Sequence, residues 1–261
     1  MKILFIGDIV GRPGRKAVAA LLPKLVADFG GVDVVIANGE NAAGGKGLTP
    51  AVFSELTASG VDVVTTGNHV WDNRAIFDLI DETPNLIRPA NFPLGVPGVG
   101  WCIHTTADGR KVAVLNLIGQ VYMSSYENPF LALDTLLPQL EKKTPFILID
   151  FHAEATAEKV AMGWYADGKV SAVVGTHTHV QTADEQILPQ GTAYITDVGM
   201  TGPHDSVIGI QKEDVLYRFR TTLPTRYEVA SGNVILCGVM LHLDDDTGKA
   251  VAIQRIRMPV D

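Results

Sequence analysis

Oxygen- and imidazole-bearing residues recur in this sequence directly after short apolar runs. Asp8 follows LFIG, Glu40 and Asn41 follow VVIANG, Asn68 and His69 follow VVTTG, His152 ends FILIDFH, and His177 and His179 follow AVVGT. Carboxylate, carboxamide and neutral imidazole, with no thiolate among them, suit Mn, Fe or Zn rather than a cysteine-rich structural zinc site. This set exceeds what a single tetrahedral ion takes, and two ions sharing a bridging carboxylate would use it. Two ions about 3.5–4 Å apart clamp the attacking and leaving oxygens of an in-line displacement at phosphorus, and bound water whose pKa falls to about 7 supplies the nucleophile.

These residues need elements that carry them to one edge. Residues 2–7, 32–37 and 62–66 read as buried strands, and 16–29 and 50–59 as helices, the second with Thr49 as N-cap. Strand–helix alternation of this kind marks a parallel sheet with crossover helices. The rhythm then changes: 101–106 and 111–117 flank Asp108-Gly109, a hairpin signal. Helices are expected over 131–142 and 154–164, strands over 145–150 and 171–175, and a long hairpin over 233–243 and 250–258. In open α/β sheets, ligands bind outside the carboxyl ends of the strands, where five of these runs deliver their polar residues. Residues 1–261 read as one α/β domain with mixed sheets.

At these positions the chain resembles the calcineurin-like metallophosphoesterase superfamily. Gly67-Asn68-His69 and Gly175-Thr176-His177-Thr178-His179 are similar to its G-N-H and G-x-H-x-H motifs. Two motifs depart from it: the usual D-x-H is Asp8-Ile9-Val10, and the usual G-D is Asn38-Gly39-Glu40-Asn41. Those departures, with GDIVGRPGR, NGENAAGG and DFHAEATAEK, resemble the YmdB-like branch over essentially the whole chain. The resemblance implies a four-layer α/β/β/α sandwich and a dinuclear phosphodiesterase acting on small 2′,3′-cyclic nucleotides. It implies Asp8, Glu40, Asn41 and His179 at one metal, and Glu40, Asn68, His152 and His177 at the other, with Glu40 bridging. Asn41 then replaces the histidine lost at Val10, and His69 becomes the donor of a proton to the leaving oxygen. Imidazole, which titrates near neutral pH, suits that role. The branch suggests two ions per chain, iron first, with manganese or another divalent metal as alternatives.

Composition limits the other readings. The chain has 261 residues, 29 Asp+Glu against 21 Lys+Arg, and a net charge of -8, which argues against a broad basic face and a stable nucleic-acid complex. No apolar run reaches the roughly 18–20 residues of a membrane span, and the expected location is the cytoplasm. Cys102 and Cys237 read as buried reduced thiols, and His104 and His242 as structural. His204, in Gly202-Pro203-His204-Asp205, lies where a loop could border a substrate. The Gly44–Thr49 loop fails as a P-loop because Gly47, not Ser or Thr, follows Lys46; its N–H groups remain candidates for touching a phosphate. Rival functions are a phosphomonoesterase and a non-catalytic metal- or nucleotide-binding regulator, although a decayed site should have lost more ligands than the one at Val10. A homo-oligomer is expected.

Overall fold

The computed structural model describes residues 1–260. In chain order the elements begin with β1 (Lys2–Ile6), β2 (Asp8–Ile9), α1 (Gly11–Asp28), β3 (Val34–Asn38), α2 (Pro50–Ala58) and β4 (Val63–Thr65). A 3-10 turn, Arg74–Asp78, then precedes β5 (Leu86–Ile87), β6 (Trp101–Thr105), β7 (Lys111–Ile118), α3 (Pro129–Glu141), β8 (Ile147–His152) and α4 (Thr156–Ala166). The last part holds β9 (Ala172–Thr176), β10 (Gln186–Ile187), β11 (Ala193–Ile195), β12 (Met200–Pro203), α5 (Lys212–Thr221), β13 (Val234–Leu243) and β14 (Ala250–Pro259).

The strands form two sheets. One runs β2-β12-β13-β1-β3-β4-β5, with β14 also paired to β13, and the other runs β10-β11-β9-β8-β7-β6. Both are mixed: β1-β3-β4-β5 and β7-β8-β9-β11 are parallel, while β1-β13, β13-β14 and β6-β7 are antiparallel. Side-chain alternation assigns the layers. In β1, Leu4 and Ile6 pack with Val18 and Leu22 of α1 and Val52 and Leu56 of α2, whereas Ile3 and Phe5 face Val112, Val114, Leu148 and Val174 of the other sheet. Across that second sheet, Ala113, Leu115 and Ile149 pack with Leu133 and Leu137 of α3 and Met162 of α4. Helix, sheet, sheet, helix is therefore the order of layers, as expected.

Local chemistry explains the boundaries. Thr49 Oγ1 accepts the Val52 N–H at 3.3 Å with Pro50 at the first helical position, as expected. Helix α1 starts at Gly11 rather than near residue 16, because Gly11, at φ 56, turns the chain directly from β2. Helix α5 was not expected: of its residues only Val215 is buried, so no apolar period announces it. The 233–258 hairpin forms, with β13 inside the sheet and β14 along its length. No helix of the described residues is long and apolar enough to cross a membrane. Cys102 and Cys237 are free and buried, and burial pushes each thiol up to about 12.

Candidate metal centre

Every expected site residue lies at or just past the carboxyl end of a strand. Asp8 follows β1, Glu40 and Asn41 follow β3, Asn68 and His69 follow β4, His152 ends β8, and His177 and His179 follow β9. The two sheets meet there, and the residues gather into two adjoining groups.

The inner group surrounds His152, which is fully buried. Its Nε2 lies 3.0 Å from Asn68 Oδ1, 3.1 Å from Glu40 Oε1 and 3.1 Å from His177 Nδ1. One N–H serves one acceptor well, yet three possible acceptors converge on this nitrogen. Donor atoms about 2.1 Å from one ion and at right angles stand about 3.0 Å apart, so the spacing fits a cation at their centre. The tautomers agree. Thr176 Oγ1 donates to Asp150 Oδ1 at 2.7 Å, so it accepts from His152 Nδ1 at 2.9 Å and leaves Nε2 as the ligating nitrogen. His177 Nε2 lies 3.1 Å from Glu154, which directs its Nδ1 inward.

Charge balances inside this group. Burial alone would raise the Glu40 carboxyl, but His152 overcomes it and brings Glu40 down to about 2. Burial would likewise lower His152, and Glu40 instead lifts it to about 9. Burial, followed by the charge on His152, pushes His177 down to about 3. A proton on His152 thus competes with any cation for the same donors, and binding the cation releases it.

The outer group is looser. His179 Nε2 lies 3.3 Å from Asn41 Oδ1 and 3.9 Å from Asp8 Oδ1. His179 Nδ1 donates to the Ile208 carbonyl at 2.9 Å, so a neutral ring turns its bare Nε2 toward those two oxygens. Asn41 is fixed in the same sense: its amide nitrogen donates to the Gly45 carbonyl at 3.1 Å, which leaves Oδ1 facing His179. Asp8 Oδ1 is buried without a hydrogen-bond partner, and burial raises its carboxyl to about 6 despite His179 and His152. An orphaned buried carboxylate oxygen beside two acceptors also fits a cation. Glu40 presents Oε1 to His152 at 3.1 Å, and its Oε2 accepts the His69 N–H at 3.0 Å.

Other residues hold this arrangement. His177 and His179 have φ of 96° and 66°, a left-handed backbone that β-ended strands rarely supply. Between them, Thr178 donates both its N–H, at 3.2 Å, and its hydroxyl, at 2.8 Å, to Asp197 Oδ2. Buried Lys159 donates to the same oxygen at 2.6 Å and to the Thr176 carbonyl at 2.7 Å. Gly67 packs against the His152 ring and Glu40, where any Cβ would collide with both. Sequence reading missed Asp150, Glu154, Thr176, Lys159 and Asp197. A charge at residue 159, on the buried face of α4 with Met162 and Ala166, was the available signal. In the loop after Asn41, Ala43, Gly44 and Gly45 donate to the carbonyls of Gly47, Ala42 and Asn41, which folds the loop against Asn41. His104 and His242 stand in β6 and β13, away from both groups.

His69 lies outside both groups. Its Nδ1 is 2.9 Å from Asp72 Oδ2, so Nε2 is the ring nitrogen not engaged there.

Comparison with known proteins settles the family. A profile described as YmdB-like protein matches residues 4–256. The chain belongs to the YmdB-like family. It is 56% identical over 256 residues to the 2′,3′-cyclic-nucleotide 2′-phosphodiesterase of Bacillus subtilis, covering 98% of this chain and 96% of that protein. A crystal structure of a hypothetical protein from Thermus thermophilus superposes with TM-score 0.92 at 42% identity, covering 99% of each chain. That of a novel phosphatase from Mycoplasma pneumoniae gives 0.93 at 34%, covering 99% of this chain and 93% of that one. Family membership, the sandwich fold and a hydrolase of phosphate esters agree with the expectations from sequence.

Proposed function

We propose that this YmdB-like chain is a dinuclear metal-dependent phosphodiesterase that opens the 2′ ester of small 2′,3′-cyclic nucleotides. The observation that carries it is the convergence of acceptors without matching donors, around His152 Nε2 in one group and around Asp8 Oδ1 in the other. The name of the Bacillus relative supports the substrate class. Glu40, Asn68, His152 and His177 would hold one ion, and Asp8, Asn41 and His179 the other, with Glu40 between them. Iron and manganese both suit these nitrogen and oxygen donors. When bound, such ions supply Lewis-acid charge at the phosphoryl oxygens and lower the pKa of water.

The chain's own groups orient and protonate. His69 donates its backbone N–H to Glu40 Oε2 and its Nδ1 lies 2.9 Å from Asp72 Oδ2, contacts that hold the residue beside Glu40. With Nδ1–H committed to Asp72, Nε2 is the nitrogen that carries the proton to the departing 2′ oxygen. Phe92 stacks on Tyr126 at 4.9 Å, and Trp71, two residues after His69, lies 6.0 Å from Phe92.

The test is hydrolysis of adenosine 2′,3′-cyclic phosphate with added Mn or Fe. Metal-dependent turnover that a chelator abolishes is expected, and its absence with either metal overturns the proposal. The name of the Mycoplasma structure favours a second reading, a phosphomonoesterase, which the same assay with adenosine 3′-phosphate distinguishes. His69→Ala should keep its metal and lose about 10²–10⁴-fold on the cyclic nucleotide. With bis(p-nitrophenyl) phosphate, whose leaving group needs no proton, the loss should be much smaller. Equal losses on both substrates would remove His69 from the role of acid.

A further inference from the structure

The carboxyl half of β14 carries charge that the proposed reaction does not use. Arg255 and Arg257 are two apart on this strand, opposite Val239 and Cys237 of β13, and so leave the sheet on one face. Gln181, two residues after His179, donates its side-chain amide to the Ile256 carbonyl at 2.9 Å, between the two arginines. The same amide nitrogen lies 3.1 Å from the Val198 carbonyl. These bonds tie the arginine strand to the segment that bears His179. A groove of about 250 Å³ lies there, lined by His179, Val180, Gln181, His204, Arg255 and Arg257.

The groove inverts the sign of the protein around it. The chain carries a net -8, yet two arginines line this groove. Glu185 Oε1 approaches Arg255 Nε at 3.2 Å, and among the described residues Arg257 forms no ion pair. His204 stands within the same wall, its Nε2 held by the Met200 carbonyl at 3.2 Å. Met200 N–H in turn donates to the His179 carbonyl at 3.2 Å, so this wall is continuous with the outer group. Guanidinium forks match phosphate oxygens in geometry as well as charge. An anion seated here would be part of a molecule whose reacting end reaches the metal centre.

We propose that this groove binds a second phosphoryl group of the substrate, beyond the one that is hydrolysed. Its source is the 5′-phosphate of a 2′,3′-cyclic nucleotide or the internucleotide phosphodiester of an oligonucleotide that ends in one. This assignment rests on the proposed function and narrows it: the substrate is a phosphorylated or oligomeric cyclic end rather than a bare cyclic nucleotide.

Turnover and binding test it separately. In the Mn-loaded enzyme, kcat/KM is compared for adenosine 2′,3′-cyclic phosphate, its 5′-phosphorylated form, and the dinucleotide with a 2′,3′-cyclic end. At least one of the last two should exceed the first by about tenfold or more, through KM, and added salt should shrink the advantage. Which of them gains distinguishes the monoester from the diester source. In Arg255→Ala/Arg257→Ala the ratio should fall to near one. A wild-type ratio near one for both substrates, or a ratio that survives the double substitution, overturns the proposal. Calorimetric titration with adenosine 3′,5′-bisphosphate and adenosine 3′-phosphate does not depend on turnover. The bisphosphate should bind the wild type about tenfold tighter, and the two should bind the double variant alike. If no cyclic substrate is hydrolysed, the proposed function fails while this titration still decides the groove; equal affinities in the wild type reject it.

Discussion

The inner and outer groups are built from similar residues, yet they stand in opposite electrostatic conditions. Around His152 the donors touch at 3.0–3.1 Å, and Glu40 and His152 hold each other charged. Around Asp8 the spacings are 3.3 and 3.9 Å, one carboxylate oxygen has no partner, and burial works against its charge. The inner group is satisfied by its own proton, whereas in the outer group Asp8 Oδ1 has no hydrogen-bond partner in the chain. The difference has a structural source. Asp150, Thr65, Thr176 and Asn38 form a buried network behind His152 on strands of both sheets. The outer group hangs on loops: the Gly45 carbonyl orients Asn41, and the Ile208 carbonyl orients His179.

The loop 176–179 is the element the two groups share, and the buried Lys159–Asp197 pair holds it. Removing one member of a buried pair costs about 3–5 kcal/mol, because the other is left charged and unpartnered. Lys159→Met should therefore lower stability by that order, read as the midpoint of denaturant unfolding. The more informative variant is Lys159→Met/Asp197→Leu, in which no uncompensated charge remains and most of the stability should return. Thr178 would still lack its acceptor, so His177 and His179 should relax from their left-handed backbone. Metal affinity should stay low, and more so in the outer group, which has no network of its own. Recovery of metal affinity together with stability would show that the pair supports the fold and not the ligands.

The same contrast explains what could be read from sequence. Strand-end positions of Asp8, Glu40, Asn68, His152 and His177 follow from apolar runs that stop at a polar residue, a local pattern. The layer order came instead from the resemblance, because strands buried on both faces, such as β1, do not announce which core each alternate residue joins. Lys159 and Asp197 are 38 residues apart, and the Ile208 carbonyl is 29 residues from the histidine it orients. Partnerships of that separation leave no periodicity, and a carbonyl has no residue type to recognise. A left-handed backbone at His177 and His179 is equally silent, since histidine does not demand it. Helix α5 escaped for the opposite reason: its solvated faces erase the apolar stripe by which a helix is normally found.

The smallest expected effect separates the two carboxylates directly. In chelator-treated protein, the native Asp8 carboxyl keeps its proton up to about 6, whereas an unfolded one releases it near 3.8. Asp8 therefore favours the native state at low pH, loses that advantage as pH rises across this window, and weighs against folding above it. Asp8→Asn should raise stability at pH 7 by about 2–3 kcal/mol and change it little at pH 4, read by thermal unfolding at both values. Glu40 carries the opposite sign. Its native carboxyl titrates at about 2 against 4.5, so its contribution is present above 4.5 and fades as pH falls toward 2. Glu40→Gln should accordingly destabilise the same chelated protein at pH 7. Added Mn should reverse only the first result, since it turns the Asp8 charge from a burden into a ligand. Were Asp8→Asn to destabilise the chelated protein at pH 7, the outer group would be as self-sufficient as the inner one, and the orphaned oxygen would have a partner within the chain.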